Sequence, residues 1–474
     1  MHFAPTLESV RTHSIPSWFD DAKLGIFVHW GLYSVPGWAP LNGSPWEVVA
    51  TEGWAAWFGR NPYAEWYLNS LRITSSPTRR YHDETFGKGF AYDDFIPQFD
   101  EATQQWDPAA CADLFRQAGA RYVVLTTKHH DGFRLWPSRH PNPTKGDYHA
   151  ARDLTGDLAE AVRAAGMKMG LYYSGGLDWT FVETPIQDIT TMFMTVPQTP
   201  DYVAYANRHW LELIERYQPS VLWNDIAYPA AANLPELFAH YYNAVPEGVI
   251  NDRFTQQFEI DPATSGFVNH GHFDFKTPEY TSFDKITEQK WEATRGIGYS
   301  FGYNRNEGPD RYLSLKDLVH SFVDIVSKNG NLLLNVGPLA DGTIPELQRE
   351  RLLGLGRWLA VNGEAIYGTR PWTVADGQTV EGPDVRFTSG GDAVYAIVRG
   401  APSGPSITLR GLKMAEGGTV QLLGESRTVT WEGSADGLRV TLPQPLSHTV
   451  AEAAAVEAAA FTLKIVAPEG VVQA

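Results

Sequence analysis

Eight apolar runs alternate with helix-like segments through the first 350 or so residues, and this alternation limits the fold more than any other feature of the chain. The runs are Leu24 to Trp30, Tyr122 to Lys128, Met169 to Ser174, Val221 to Asp225, Gly248 to Asp252, Gly271 to Phe275, Gly296 to Tyr303 and Leu332 to Val336. Continuous apolar runs separated by helices read as buried parallel strands, and eight of them match a closed (β/α)8 barrel better than a doubly wound sheet. The helices between them carry recognisable ends. Asp107-Pro108 supplies an N-cap and a proline at the first helical position, and Gly119 stops that helix. Val203, Trp210, Leu213, Ile214 and Tyr217 recur at helical spacing and predict an amphipathic outer helix. The sixth run is the weakest, because Phe273 and Phe275 alternate with polar residues.

Several of these runs turn polar at their carboxyl ends, where barrel folds place their chemistry. The first ends at His29-Trp30-Gly31, the second at Lys128-His129-His130-Asp131-Gly132, the third at Tyr172-Tyr173-Ser174, and the fourth at Trp223-Asn224-Asp225. The fifth runs into Asn251-Asp252-Arg253. Strand ends of a barrel converge on one face, so these side chains are expected to line one pocket. An Asp at such an end can simply open a turn. The company of His, Tyr, Trp and Arg favours a functional carboxylate at Asp225.

From about Pro371 the pattern changes to short strands near Val385, Ala393, Ser406, Thr419, Thr428, Leu438 and Phe461, most of them separated by Gly, Pro, Asp or Ser. This predicts an antiparallel β-sandwich. The expected division is a catalytic barrel over residues 1–365 and a sandwich over 371–474. The Ala-rich stretch from Ala451 to Ala460 reads as a loop or short helix.

Composition narrows the function. The formal net charge is −17 with scattered basic residues, which gives nucleic acid no electrostatic footprint. One cysteine, Cys111, excludes an intramolecular disulfide and a thiolate metal cage. The start, Met1-His-Phe-Ala-Pro, has no apolar signal core, and no run approaches a membrane span. A chain complete as written would be cytoplasmic, and one trimmed of a signal peptide would be secreted. A homo-oligomer is compatible with this composition. Aromatic residues reach 13 per cent with 16 Trp, which suits stacking on sugar rings and also suits a large core.

Two chemistries compete for the histidines. His29, His129, His130 and Asp225 with the pair His270 and His272 could hold a divalent metal in a barrel hydrolase. Yet adjacent His129 and His130 point to opposite sides of a strand unless the chain bends, and no His-Glu-x-x-His set is present. Hydroxyl binding is the preferred reading, with no cofactor.

The segments Trp18-Phe-Asp-Asp-Ala-Lys-Leu-Gly-Ile-Phe-Val-His-Trp-Gly, Ala64-Glu-Trp-Tyr, Lys128-His-His-Asp-Gly-Phe, Gly170-Leu-Tyr-Tyr-Ser, Leu222-Trp-Asn-Asp and Asn331-Leu-Leu-Leu-Asn-Val-Gly-Pro resemble, in order, the retaining α-L-fucosidases of glycoside hydrolase family 29. The resemblance runs from about Ser17 to Trp372. It implies a barrel followed by a β-sandwich, a fucosylated oligosaccharide or glycoconjugate as substrate, and Asp225 as nucleophile. It places His29, Glu65, Trp66, His129, His130, Tyr172, Trp223 and Arg253 around fucose. Phe27 and Tyr280 fall beside the C6 methyl, with Tyr63 and Phe301 as further neighbours. The acid/base position varies among family members. Glu279 in Thr277-Pro-Glu-Tyr resembles the general-acid region of bacterial members, and Glu292 is the runner-up, read as lying before the seventh strand, with Arg295 as its expected pairing partner.

A retaining glycosidase needs two carboxyl groups about 5 to 5.5 Å apart, one ionised and one protonated. Asp225 would form the fucosyl-enzyme, while Glu279 would protonate the leaving oxygen and then deprotonate water or, in transfucosylation, an acceptor. A metal-dependent hydrolase and a non-catalytic fucose-binding protein are the rivals.

Overall fold

The computed structural model describes the whole chain except residues 1, 44, 258, 260–267, 402–403, 427, 444–459, 468–469 and 474. The Ala-rich stretch therefore lies outside the described residues apart from Ala460.

Seven strands form one parallel sheet: β1 (Leu24–Val28), β2 (Tyr122–Lys128), β3 (Lys168–Tyr173), β4 (Val221–Asn224), β5 (Val249–Ile250), β6 (Trp291–Gly296) and β7 (Gly330–Val336). Their order is β5-β4-β3-β2-β1-β7-β6, which leaves β5 and β6 at the two edges. The sheet curls, and the gap between its edges is bridged by the segment 274–280. Asn251 pairs with Phe275, and Lys276 with Trp291, both in parallel register. Backbone bonds from Asp274 N to Ile250 O (2.8 Å) and from Glu292 N to Lys276 O (2.8 Å) continue this link. The expected sixth strand is thus a string of isolated bridges. Proline at 278 has no N–H to give a ladder, and polar residues interrupt the run, so regular pairing cannot extend.

The seventh strand corrects the sequence reading. It spans Trp291–Gly296, whereas residues 297–303 form a loop at the mouth of the pocket. On β6, Trp291 and Ala293 join the outer core, while Glu292 and Thr294 face the barrel interior. A strand that sends polar residues inward shows no apolar run. Its neighbour, rich in Gly and aromatics, shows one without being a strand.

Side chains alternate as a barrel requires. Leu24, Ile26 and Val28 of β1 pack outward against the helices, and Phe27 packs inward with Tyr122, Tyr172, Trp223, Phe275 and Leu333. The outer helices obey their caps. Asp107 accepts from Ala109 N and Ala110 N at the start of the helix Pro108–Gln117, and the helix Pro200–Tyr217 buries Trp210, Leu213 and Ile214.

Beyond the barrel, a six-stranded antiparallel sheet faces a three-stranded one across a core that includes Val385, Phe387, Leu409, Val440 and Leu463. The single run expected near Thr428 is split between the two sheets, as Thr428–Val429 and Trp431–Ser434, because the chain crosses from one layer to the other there. Tyr395 and Ile397 point away from the sandwich core into the core of the barrel, and Trp358 Nε1 donates to Ala460 O at 3.0 Å.

Candidate active site

A pocket opens at the carboxyl ends of the barrel strands. Its wall contains Phe27, His29, Tyr63, Glu65, Trp66, His129, His130, Tyr172, Trp223, Asp225, Arg253, Glu279 and Phe301, so most sequence-designated residues converge.

The histidines are neutral, and the tautomers of His29 and His130 follow from their partners. Asn335 Nδ2 donates to Phe301 O at 2.7 Å, which turns Asn335 Oδ1 toward His29 Nδ1 at 2.6 Å. His29 therefore carries its proton on Nδ1 and keeps a bare Nε2. Likewise Ser174 donates to Leu177 O at 2.7 Å and accepts from His130 Nδ1 at 2.6 Å. Burial pushes His29 down to about 3 and His130 down to about 4, and holds His129 well below the usual imidazole range. A neutral ring of this kind can accept a hydrogen bond from a hydroxyl on its bare nitrogen.

His129 and His130 overturn the expectation that they diverge. The β2–β3 register slips between Thr126 and Lys128, β2 ends at Lys128, and both rings enter the pocket with centroids 4.0 Å apart. With Asp225 they bring ligand-type atoms within 4.8 Å of one another. His129 Nδ1 is buried with no hydrogen-bond partner among the described residues. The structure keeps His270 and His272 elsewhere. His272 lies with His13 and Asp274, and His270 is exposed beside Glu259 at 3.2 Å.

Asp225 and Glu279 share one guanidinium. Arg253 Nη1 donates to Asp225 Oδ1 at 2.8 Å, and Nη2 donates to Glu279 Oε2 at 3.2 Å. Arg253 is itself fixed by Nε on Thr277 Oγ1 (2.9 Å) and by the Trp223 ring, 4.7 Å below its centre. Asp225 also accepts Tyr172 Oη on Oδ2 and the Ile226 N–H on Oδ1, both at 2.8 Å. Burial alone would raise Asp225, but Arg253 and these bonds outweigh it and hold its carboxyl below the usual range. For Glu279 the balance reverses. Burial and the neighbouring Asp225 charge outweigh Arg253, and its carboxyl is raised. Tyr63 Oη reaches Glu279 Oε1 at 3.4 Å.

Glu65 sits on the 3-10 turn Ala64–Trp66, accepts the Gly302 N–H at 2.8 Å, and is pushed by burial up to about 8. Glu292 is fully buried beneath the pocket. It accepts Trp223 Nε1 at 3.0 Å and the Tyr122 hydroxyl, and burial pushes it up to about 7. Its partners are therefore Tyr122 and Trp223, and the expected pairing with Arg295 is not observed. Phe27 lies 4.4 Å from His29 and 5.0 Å from Trp223 between ring centroids. Tyr280 stands back from the wall. Its φ of +51° turns the hydroxyl onto Tyr299 O at 2.7 Å, and its ring packs on Phe301.

Sequence reasoning missed Ile226 and Thr294 of the wall and the support Asn335, and it marked Ser174 only as a strand end. Alternation from Glu292 would have found Thr294 once β6 was placed correctly. Nothing local marks Ile226.

Known proteins resemble this chain along nearly its whole length. A family model described as Alpha-L-fucosidase matches residues 1–364, and one described as Alpha-L-fucosidase C-terminal domain matches 378–466. The tissue alpha-L-fucosidase of Rattus norvegicus is 34% identical over 459 residues, covering 94% of this chain and 89% of that protein. The plasma alpha-L-fucosidase of Homo sapiens is 35% identical over 467 residues, covering 94% and 90%. Among solved structures, Thermotoga maritima alpha-fucosidase in complex with fucose is 44% identical with a TM-score of 0.84, covering 98% of this chain and 100% of that one. The same enzyme in complex with a mechanism-based inhibitor gives 44% and 0.85 over the same shares.

Proposed function

The chain belongs to the α-L-fucosidase family of glycoside hydrolases, and on that footing we propose that it releases terminal α-L-fucosyl groups with retention of configuration, through a fucosyl-enzyme on Asp225. The observation that carries this reading is the single guanidinium of Arg253 bonded to both Asp225 and Glu279, two carboxyl groups whose affinities for a proton are pushed in opposite directions. One carboxylate stays ionised to attack, and the other stays protonated to release the leaving oxygen. After departure, Glu279 takes a proton from water, or from an acceptor sugar in transfucosylation.

Burial supports Glu279 over Glu292. Glu279 keeps a third of its side chain exposed to the pocket, whereas Glu292 lies under Trp223 with both oxygens occupied. The bare Nε2 of His29 and a protonated Glu65 supply an acceptor and a donor for hydroxyls, and Phe27 with Phe301 offers apolar faces to a methyl. A cation on His129, His130 and Asp225 would have to coexist with the Arg253 guanidinium already bound to Asp225, which disfavours the metal reading electrostatically. Proton NMR of the first sugar released from an aryl α-L-fucoside tests the proposal. The α anomer of fucose should appear first, with turnover unchanged by a chelator. An initial β anomer, or loss of turnover on chelation, would overturn it.

A further inference from the structure

The residue after Asp225 has a backbone that its side chain disfavours. Ile226 has a φ of +66°, and Ala227 N donates across it to Asp225 O at 2.9 Å. A three-residue turn with a positive central φ is the rare, strained form, and a β-branched residue suits it least. Of the five described non-glycine residues with positive φ, two directly follow Asp225 and Glu279, and Ile226 is the β-branched member of the five. Strain of this kind persists where surrounding structure over-determines it.

The turn is over-determined from several sides. Gly176 N donates to the same Asp225 carbonyl at 3.1 Å, and a Cβ on Gly176 would stand 2.4 Å from Ala227 N. Asn224 Nδ2 donates to Ala227 O at 2.9 Å and to Arg253 O at 2.8 Å, tying the exit of the turn to the residue that clamps both carboxylates. The Ile226 side chain packs with the cluster around Tyr63, Trp66 and Met192. The amide at the head of this turn is aimed back at its own neighbour: Ile226 N lies 2.8 Å from Asp225 Oδ1.

We infer that Ile226 is a positioning residue: its packed side chain and the left-handed turn that follows its N–H hold the 225–226 peptide plane so that this N–H meets Asp225 Oδ1 and fixes the plane and charge of the attacking carboxylate. This rests on Asp225 being the nucleophile. Side chains cannot replace the bond, because it comes from the backbone, and the packing of the isoleucine keeps the turn from relaxing.

The test is an amide-to-ester exchange at position 226 in the full chain, using the α-hydroxy analogue of isoleucine, which removes the N–H and keeps the side chain. A hydrogen bond to a charged group, when lost, should lower kcat about ten-fold. It should also move the acidic limb of the rate profile up by about one pH unit, with KM changing less than kcat. Wild-type kcat and an unmoved acidic limb would overturn the inference. Should the ester protein fail to fold, Ile226→Gly and Ile226→Val decide. Glycine adopts the turn but does not lock it, so kcat should fall with the fold retained, and valine should restore it. Equal kcat in wild type and Ile226→Gly would overturn the inference. Peptide mapping after treatment with 2-deoxy-2-fluoro-α-L-fucosyl fluoride separates the two levels. Label on Asp225 with a kinetically silent ester removes the inference alone, and label on another residue removes the nucleophile assignment beneath it.

Discussion

Asp225 and Glu279 meet at one arginine but stand on unlike supports. Asp225 directly follows β4, a regular strand whose Asn224 is further tied to Asn251, the residue after β5, with bonds of 3.1 and 2.9 Å. Glu279 rides on the segment that closes the barrel through isolated bridges, held by contacts such as Tyr280 N to Thr294 O at 3.0 Å. A carboxylate that must stay ionised is surrounded by donors on a rigid element. A carboxylate that must gain and lose a proton has fewer bonds and a more exposed face. The pairing of a rigid and a looser support therefore mirrors the two proposed chemical roles.

The largest effect expected from breaking this pair is that of Asp225→Gly. Turnover should fall by several orders of magnitude with the fold retained, and added azide should yield β-fucosyl azide. Residual hydrolysis near wild type, or an α-configured azide, would remove Asp225 from the role. Next comes Glu279→Ala, which should cost roughly 10² to 10⁴-fold on natural oligosaccharides and far less on an activated aryl fucoside. If Glu292→Ala shows that leaving-group dependence instead, the roles of the two glutamates are exchanged.

Arg253→Met probes what the two carboxylates share. Arg253 lowers the proton affinity of both, so its removal raises both. In the proposed roles the acidic limb reports Asp225, ionised to attack, and the alkaline limb reports Glu279, protonated to release the leaving oxygen. Both limbs of kcat/KM against pH should therefore move to higher pH, and a single moving limb would show that the guanidinium acts on one carboxylate alone. Phe27→Ala should lower kcat/KM for an α-L-fucoside about ten-fold, and lower it less for the corresponding L-galactoside. Equal losses would make Phe27 ordinary packing.

The smallest effect is on stability and concerns the buried glutamate below the pair. Burial raises Glu292 from about 4.5 to about 7, so the native state holds this proton where the unfolded chain releases it. Its contribution is full below about pH 4.5 and is lost as pH rises through 7. Glu292→Gln should accordingly raise the melting temperature at pH 8 relative to wild type more than at pH 4.5, by up to about 3 kcal/mol in unfolding free energy. An equal shift at both pH values would place the proton elsewhere.

The presence of the first five strands was legible, with ends displaced by one or two residues at most of them, because β1 to β4 are buried on both faces and their apolar runs are continuous. His29, Tyr172 and Asp225 were found by that rule. It failed at β6, where Glu292 and Thr294 face inward among hydrogen-bonding partners and break the run. It failed again at His129 and His130, since alternation holds within a strand and the strand has ended. Glu65 and Trp66 came from a resemblance in sequence, because a 3-10 turn far from any strand end has no periodicity to read.

By itself the sequence determined which elements form and which residues stand at strand ends, since burial patterns and caps are local properties written every second or fourth residue. Tertiary structure alone decided how the barrel closes, that Arg253 joins Asp225 to Glu279, that Glu292 lies beneath Trp223, and that Ile226 holds a left-handed turn. Each of these depends on distances between segments remote in the chain, and on burial that sets the charge of each group, quantities that no local pattern carries.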